Sequence, residues 1–276
     1  MNELSLLTQS IHDDVQFLTP QVTQCIDEIQ LHHKSQSERR QRMPVLVCGN
    51  SGSGISTVMS RIAHQFELTS TGVVVLQRQD LAFYSPYQML LHHYGFRPPD
   101  SARLGSSYDL PHYITKLLAM AEPEVIILDD FLNGVIEKKD ISKHLAQWTN
   151  VANAIPKTSI IFGNPGRLKP TWLSGVPNYK SIYIDEWSLG PSFDLYLSQL
   201  SDLALTKYGL KMELQEFQSQ LYQHSHGNTG NLIRHLRQLV INLMLNHQSD
   251  MTIIFATKKL KELIEDNARI FYESAM

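Results

Sequence analysis

Cysteine is almost missing from this chain, with Cys25 and Cys48 the two among 276 residues. They lack paired-ligand or C-x-x-C spacing, which argues against a zinc site and against a disulfide framework, and fits a reducing cytoplasm. Positive charge is not in excess, since 24 Lys and Arg face 27 Asp and Glu for a net charge of −3. General attraction to nucleic acid is excluded on that ground, while a local basic face stays open. No apolar run approaches the roughly 18 residues of a membrane span, and Met1 to Asp14 carries acids where a signal peptide would be basic. No export or membrane segment is expected. The twelve histidines show no H-E-x-x-H or comparable ligand spacing, so no metal other than magnesium is expected.

The most telling absence is a single lysine. Gly49-Asn50-Ser51-Gly52-Ser53-Gly54-Ile55-Ser56-Thr57 follows the apolar run Val45–Cys48 and precedes a helical pattern. It matches the phosphate-binding pattern G-x-x-x-x-G-K-[ST] at both glycines and at the hydroxyl. In that pattern the glycines bend the backbone so that N–H groups face the phosphates, the lysine reaches the terminal phosphates, and the hydroxyl ligates magnesium. Here Ile55 stands at the lysine position.

With 42% hydrophobic residues the chain can fill the core of one large α/β domain, or of a core domain plus a small one. Apolar spacing predicts two N-terminal helices broken at Thr19-Pro20. The polar, cationic stretch His33–Arg42 follows, read either as a solvated linker or as a basic patch near a nucleotide or a DNA backbone. Strands are expected at 45–48, 72–76, 124–130, 158–162 and 180–184, with helices between them. Such alternation implies a parallel sheet covered by helices on both faces, with ligands beyond the strand C-termini. After Trp187–Pro191 the periodicity is helical throughout, which predicts a C-terminal α-helical lid. The expected division is N-terminal helices at 1–36, an α/β nucleotide-binding core at 37–190 and the lid at 191–276.

Two strand ends carry candidate chemistry. Val125-Ile126-Ile127-Leu128 ends in Asp129-Asp130, the form of a strand that delivers a magnesium-holding carboxylate (Asp129) and then an acid that polarises the attacking water (Asp130). A capped loop explains the same acids if they are taken alone. Asn164, at the tip of the fourth strand, is a candidate water-orienting residue, though Asn-Pro also starts turns. Gly227-Asn228-Thr229-Gly230-Asn231 caps a helix bearing Arg234 and Arg237, read either as nucleotide-facing cations or as surface arginines. The run Lys258, Lys259, Lys261 reads as solvated.

These residues together resemble the TniB/TnsC group of AAA+ transposition proteins, relatives of MuB and IstB, over roughly residues 36–246. The resemblance is carried by Arg42-Met43-Pro44 before the first strand, the Gly49–Thr57 loop, Asp129-Asp130, Gly163-Asn164, Trp187 after the fifth strand and the Gly227–Gly230 turn. It implies a P-loop AAA+ core and an ATP-responsive, DNA-binding protein that assembles as rings or filaments on target DNA and links a target-selection factor to a transposase. It also implies nucleotide contacts from Gly49 to Thr57 and Arg234, magnesium held by Ser56 and Asp129, and catalytic positions at Asp130 and Asn164. Three departures weaken hydrolysis. Ile55 replaces the lysine, Asp130 replaces the usual glutamate, and Asn178 falls where the family's neighbour-completing arginine is expected. Such an arginine is worth roughly 10³–10⁵ in rate in GTPases. The expectation is weak ATP and magnesium binding with slow or absent turnover. The alternatives are an active ATPase that takes a cation from Arg39, Arg40, Arg42 or a neighbouring subunit, and a non-enzymatic adaptor that keeps the fold alone.

Overall fold

A computed structural model describes residues 19–36, 42–69, 72–76, 86–96, 110–130, 138–166, 179–200 and 214–235. The expected helices before Thr19 and beyond residue 250 lie outside these residues, as do Arg39, Arg40, Asn178 and Arg237. The described residues form two compact units, one spanning Pro20–Asp185 and the other taking in Thr19 and the chain from Glu186 onward. Among them no helix is long and apolar enough to cross a membrane.

The first unit is built on a parallel five-stranded sheet in the order β2-β3-β4-β1-β5. Its strands are β1 (Val45–Gly49), β2 (Val73–Leu76), β3 (Val125–Leu128), β4 (Ser159–Pro165) and β5 (Lys180–Ile184). β1 and β3 are buried along their whole length. Side chains alternate across a strand, so each apolar run feeds two cores. Leu46, Cys48, Ile126, Leu128, Ile160 and Phe162 enter one core. Val45, Val47, Val125, Ile127 and Ile161 enter the other. Helices α3 (Pro86–His93), α4 (His112–Ala121) and α5 (Lys138–Ala154) close the first core with Leu90, Ile114, Leu118, Trp148 and Val151. Helices α1 (Pro20–Ser35) and α2 (Ile55–Thr69) close the second with Val22, Ile26, Ile29, Val58, Ile62 and Phe66. The expected sheet covered on both faces is what forms.

Helix α1 belongs to this unit although the expected division set residues 1–36 apart. Its buried stripe, Val22, Cys25, Ile26 and Ile29, needs an apolar partner, and α2 with the second face of the sheet supplies it. Burial pushes the Cys25 thiol up to about 12, so it acts as a small apolar side chain. The last turn of α1 is tied to the segment before β1: His32 Nε2 lies 3.1 Å from the Met43 carbonyl, and Met43 N–H donates to Gln36 Oε1 at 3.4 Å.

The second unit is helical in its described residues, with α6 (Pro191–Leu200), a 3₁₀ turn (Leu214–Phe217) running into α7 (Gln218–Ser225), and α8 (229–235). Phe193, Tyr196, Leu197, Leu200, Leu214, Leu221 and Leu232 are buried there.

Candidate phosphate-binding site

The chemistry gathers at the C-terminal ends of the strands. β1 ends at Gly49, and the loop turns through a hydrogen bond from Ser53 N–H to the Asn50 carbonyl at 2.9 Å. Gly52 (φ 84°) and Gly54 (φ 105°) adopt backbone that other residues rarely enter. Val58 N–H then bonds Gly54 O at 2.9 Å, which opens α2. The first amides of α2 are left without helical partners and face the mouth of the loop, where the helix dipole favours an anion. A side chain at Gly49 would collide with Ser53 Oγ. One at Gly54 would sit 2.7 Å from Val22 Cγ2 of α1, so the N-terminal helix walls one flank of the loop. Gly166 N–H bonds the Gly49 carbonyl at 2.6 Å, which keeps the tail of β4 beside the loop.

Beneath the loop, β4 carries Gly163 in register with Val47. A Cβ at Gly163 would lie 2.9 Å from Ile55 Cγ2, 3.1 Å from Asp129 Oδ1 and 3.1 Å from Met59 Cγ. This glycine is the floor on which Ile55 and Asp129 meet. Ile55 is 7% exposed and belongs to the apolar core; it offers no charge to the mouth of the loop.

Asp129 follows β3 and accepts hydrogen bonds from the Ser56 hydroxyl and from the backbone N–H of Asp130. Burial holds its carboxyl above the ordinary aspartate range, with the neighbouring Asp130 charge pushing the same way and the two hydrogen bonds pulling it back. Asp130 takes a left-handed backbone (φ 55°), a conformation that aspartate tolerates better than most residues.

The structure thus brings Gly49 to Thr57, Asp129 and Asp130 to one edge, with Asn164 one strand from Gly49. β4 does not turn at Asn164-Pro165; it stays in the ladder through Pro165, paired with Gly49. Asn164 is in register with Cys48, on the face that α3 to α5 cover, and its amide donates to Gly166 O at 3.4 Å. Arg234 belongs to the second unit, on α8, and is exposed; its guanidinium donates to Asn231 Oδ1 at 3.4 Å.

Arg42 is not available to the loop. Its backbone N–H bonds Pro156 O at 2.9 Å and its guanidinium lies 3.2 Å from Ser159 Oγ and 3.4 Å from His33 Nδ1. These contacts fix it at the N-terminal end of the strands. A strand rises about 3.3 Å per residue, so β1 separates Arg42 from Gly49 by roughly 20 Å.

The residues fit a nucleotide triphosphate with magnesium in part. The glycine backbone, the α2 amides and the Ser56–Asp129 oxygen pair suit phosphate and a hard cation. Position 55 adds nothing to them.

A parallel sheet in this order, with a phosphate loop after β1, an acid pair after β3 and β4 between those strands, defines the α/β fold of an AAA+ P-loop ATPase. No family model matches the sequence, and no curated protein sequence matches it. Solved structures match in fold. The ORC2 protein of Aeropyrum pernix, solved as ADPNP–ADP complexes, aligns with a TM-score of 0.57 and 12% identity over 91% of this chain and 70% of that one. Cdc6p from Pyrobaculum aerophilum gives 0.55 and 15% identity over 84% of this chain and 64% of that one. Drosophila ORC bound to AT-rich DNA and Cdc6 gives 0.53 and 10% identity over 87% and 40%. This chain therefore spans less than two thirds of the length of the latter two.

Proposed function

We propose that this chain is an AAA+ regulator of DNA transposition of the TniB/TnsC kind. It binds target DNA, oligomerises as a ring or filament, and links target selection to a transposase in the cytoplasm. ATP with magnesium binds weakly and is hydrolysed slowly or not at all. One observation carries the nucleotide part: Ile55 is buried 2.9 Å from the Gly163 Cβ position under a loop whose other parts are in place. The protein keeps a phosphate cradle and lacks the charge that neutralises a transition state. Asp130, a methylene shorter than glutamate, reaches less far toward an attacking water, and Arg234 is a candidate cation for the phosphates.

The transposition part rests on the residue resemblance alone, and the DNA part on that resemblance together with fold likeness. Arg42-Met43-Pro44 and Trp187 are the more particular signatures, and one fold neighbour is an ORC bound to DNA. With a net charge of −3, DNA contact must come from a local basic face of each subunit, multiplied by assembly.

Two measurements test the proposal. Titration with labelled ATP, paired with phosphate release, is expected to show binding without meaningful turnover; robust turnover abolished by Asp129→Ala overturns the slow-hydrolysis reading. Anisotropy with duplex DNA over a salt series is expected to show affinity falling steeply with salt. Absence of binding at low salt, with and without ATP, overturns the DNA reading and favours the adaptor.

A further inference from the structure

Trp187 and the Gly227–Gly230 turn, two signatures separated in sequence, form one interlocked piece of the second unit. The Trp187 backbone N–H donates to the Gly227 carbonyl at 2.8 Å, and its indole Nε1–H donates to Thr229 Oγ1 at 2.9 Å. The ring is 4% exposed, stacks on Tyr196 at 4.7 Å and 18°, and tilts against Phe193 at 5.7 Å. Gly227 has φ 71°, and any side chain there would collide with the Trp187 carbonyl oxygen. Immediately beyond, Asn228 caps α8: its Oδ1 accepts from Asn231 N–H at 3.0 Å and its carbonyl accepts from Leu232 N–H at 3.0 Å.

We infer that Trp187 is a positioning residue that fastens α8, and with it Arg234, to the segment leaving β5. The boundary between the compact units falls between Asp185 and Glu186. Trp187 therefore belongs to the same unit as α8. Both hydrogen bonds reach the residues that start α8, and Thr229 occupies its first position, so the indole fixes where the helix begins and how it is rotated. The consequence for nucleotide rests on the proposed contact of Arg234 with phosphate: the latch determines where that guanidinium is presented.

Hydrogen exchange of full-length protein, followed by mass spectrometry, tests the latch without reference to nucleotide. Trp187→Phe keeps the apolar ring and loses the indole donor, while Thr229→Val keeps the shape and loses the acceptor. Each is expected to speed exchange of the 227–235 amides about tenfold, the factor that one net hydrogen bond is worth, and to leave β1 amides unchanged. Thr229→Ser, which keeps the hydroxyl, restores protection. Unchanged exchange in both variants, or Thr229→Ser behaving like Thr229→Val, overturns the latch. A parallel ATP titration separates the two ideas. If Arg234→Ala weakens binding, Trp187→Phe is expected to weaken it without adding to the Arg234→Ala loss, and full additivity counts against positioning. If Arg234→Ala changes nothing, the nucleotide role of Arg234 falls while exchange still decides the latch.

Discussion

Replacing Ile55 by lysine tests the phosphate loop most directly. The isoleucine is 7% exposed and its Cγ2 rests over Gly163. A lysine stem can cover the same glycine while its ammonium extends to the mouth of the loop. The lost branched packing costs about 1–2 kcal/mol of stability. Hydrogen bonds from an ammonium to phosphate contribute about 1.5–3 kcal/mol, and each 1.4 kcal/mol is a factor of about ten. Affinity for ATP is therefore expected to rise roughly 10- to 150-fold in Ile55→Lys, with a lowered melting temperature in the absence of ligand. The new cation also lies near Asp129, whose carboxyl it pulls back toward the ordinary range, which favours magnesium. Fluorescent ATP titration with and without magnesium is the assay, with Ile55→Met as an apolar control of similar volume that leaves affinity where it is. A folded Ile55→Lys protein with unchanged ATP affinity would refute the reasoning, because it would mean that the loop amides do not face phosphate.

Further substitutions probe the same framework. Asp129 has a folded carboxyl raised above the ordinary value of 3.8, so the native state holds its proton more tightly than the unfolded chain and stability declines as pH rises from about 4 through the raised value. Asp129→Asn removes that decline, and thermal melts from pH 4 to 8 are expected to show the variant gaining on the parent as pH increases, while any stabilisation by magnesium disappears. His33 has the opposite sign: burial first, then Arg42, lowers its folded value below 6.5, and Glu124, 3.7 Å away, partly restores it. Stability is expected to fall as pH drops below 6.5, more gently in Arg42→Ala and more steeply in Glu124→Gln; melts that are flat with pH in all three proteins would contradict this. Gly163→Ala is expected to cost about 1–3 kcal/mol by overpacking, and in urea unfolding the Gly163→Ala/Ile55→Ala double mutant loses less than the sum of the singles because the alanine methyl enters vacated space. Strict additivity would mean that the two residues do not touch.

The sheet was legible because apolar strand runs alternate with helical periodicity; β1 and β3 are buried throughout, as helices on both faces require, whereas the run at 73–76, expected to be as fully covered, alternates half-buried and buried because β2 is at the sheet edge. The loop was legible because glycine spacing is a backbone requirement that survives in the letters. What could not be read is contact between distant segments. Val22 lies far from Gly54 in the chain, and only packing of the α1 stripe on α2 brings its methyl to the loop. Arg42 is a similar case. As a letter in a basic stretch it was a candidate cation for phosphate, yet the direction of β1 carries it to the opposite edge, where Ser159 and His33 hold it. Trp187 and Gly227 were visible as separate signatures, but a close backbone approach leaves a trace only as an obligatory glycine, which does not name its partner. The strand reading stopped at Phe162 for a related reason: Gly-Asn-Pro looks like a turn, and pairing with β1 overrides that preference.

Protein contacts from four sides hold the shape of the loop. Val22 flanks Gly54, Ser53 N–H closes on Asn50 O, Gly166 N–H holds Gly49 O, and Ser56 is bonded to Asp129. None of these contacts involves the side chain at position 55. Shape and charge are therefore separable in this site. Without a cation at position 55 the attraction for phosphate is weaker, while the contacts that shape the loop are unaffected. The apolar side chain of Ile55 instead joins the core formed by Val58, Met59 and Ile62.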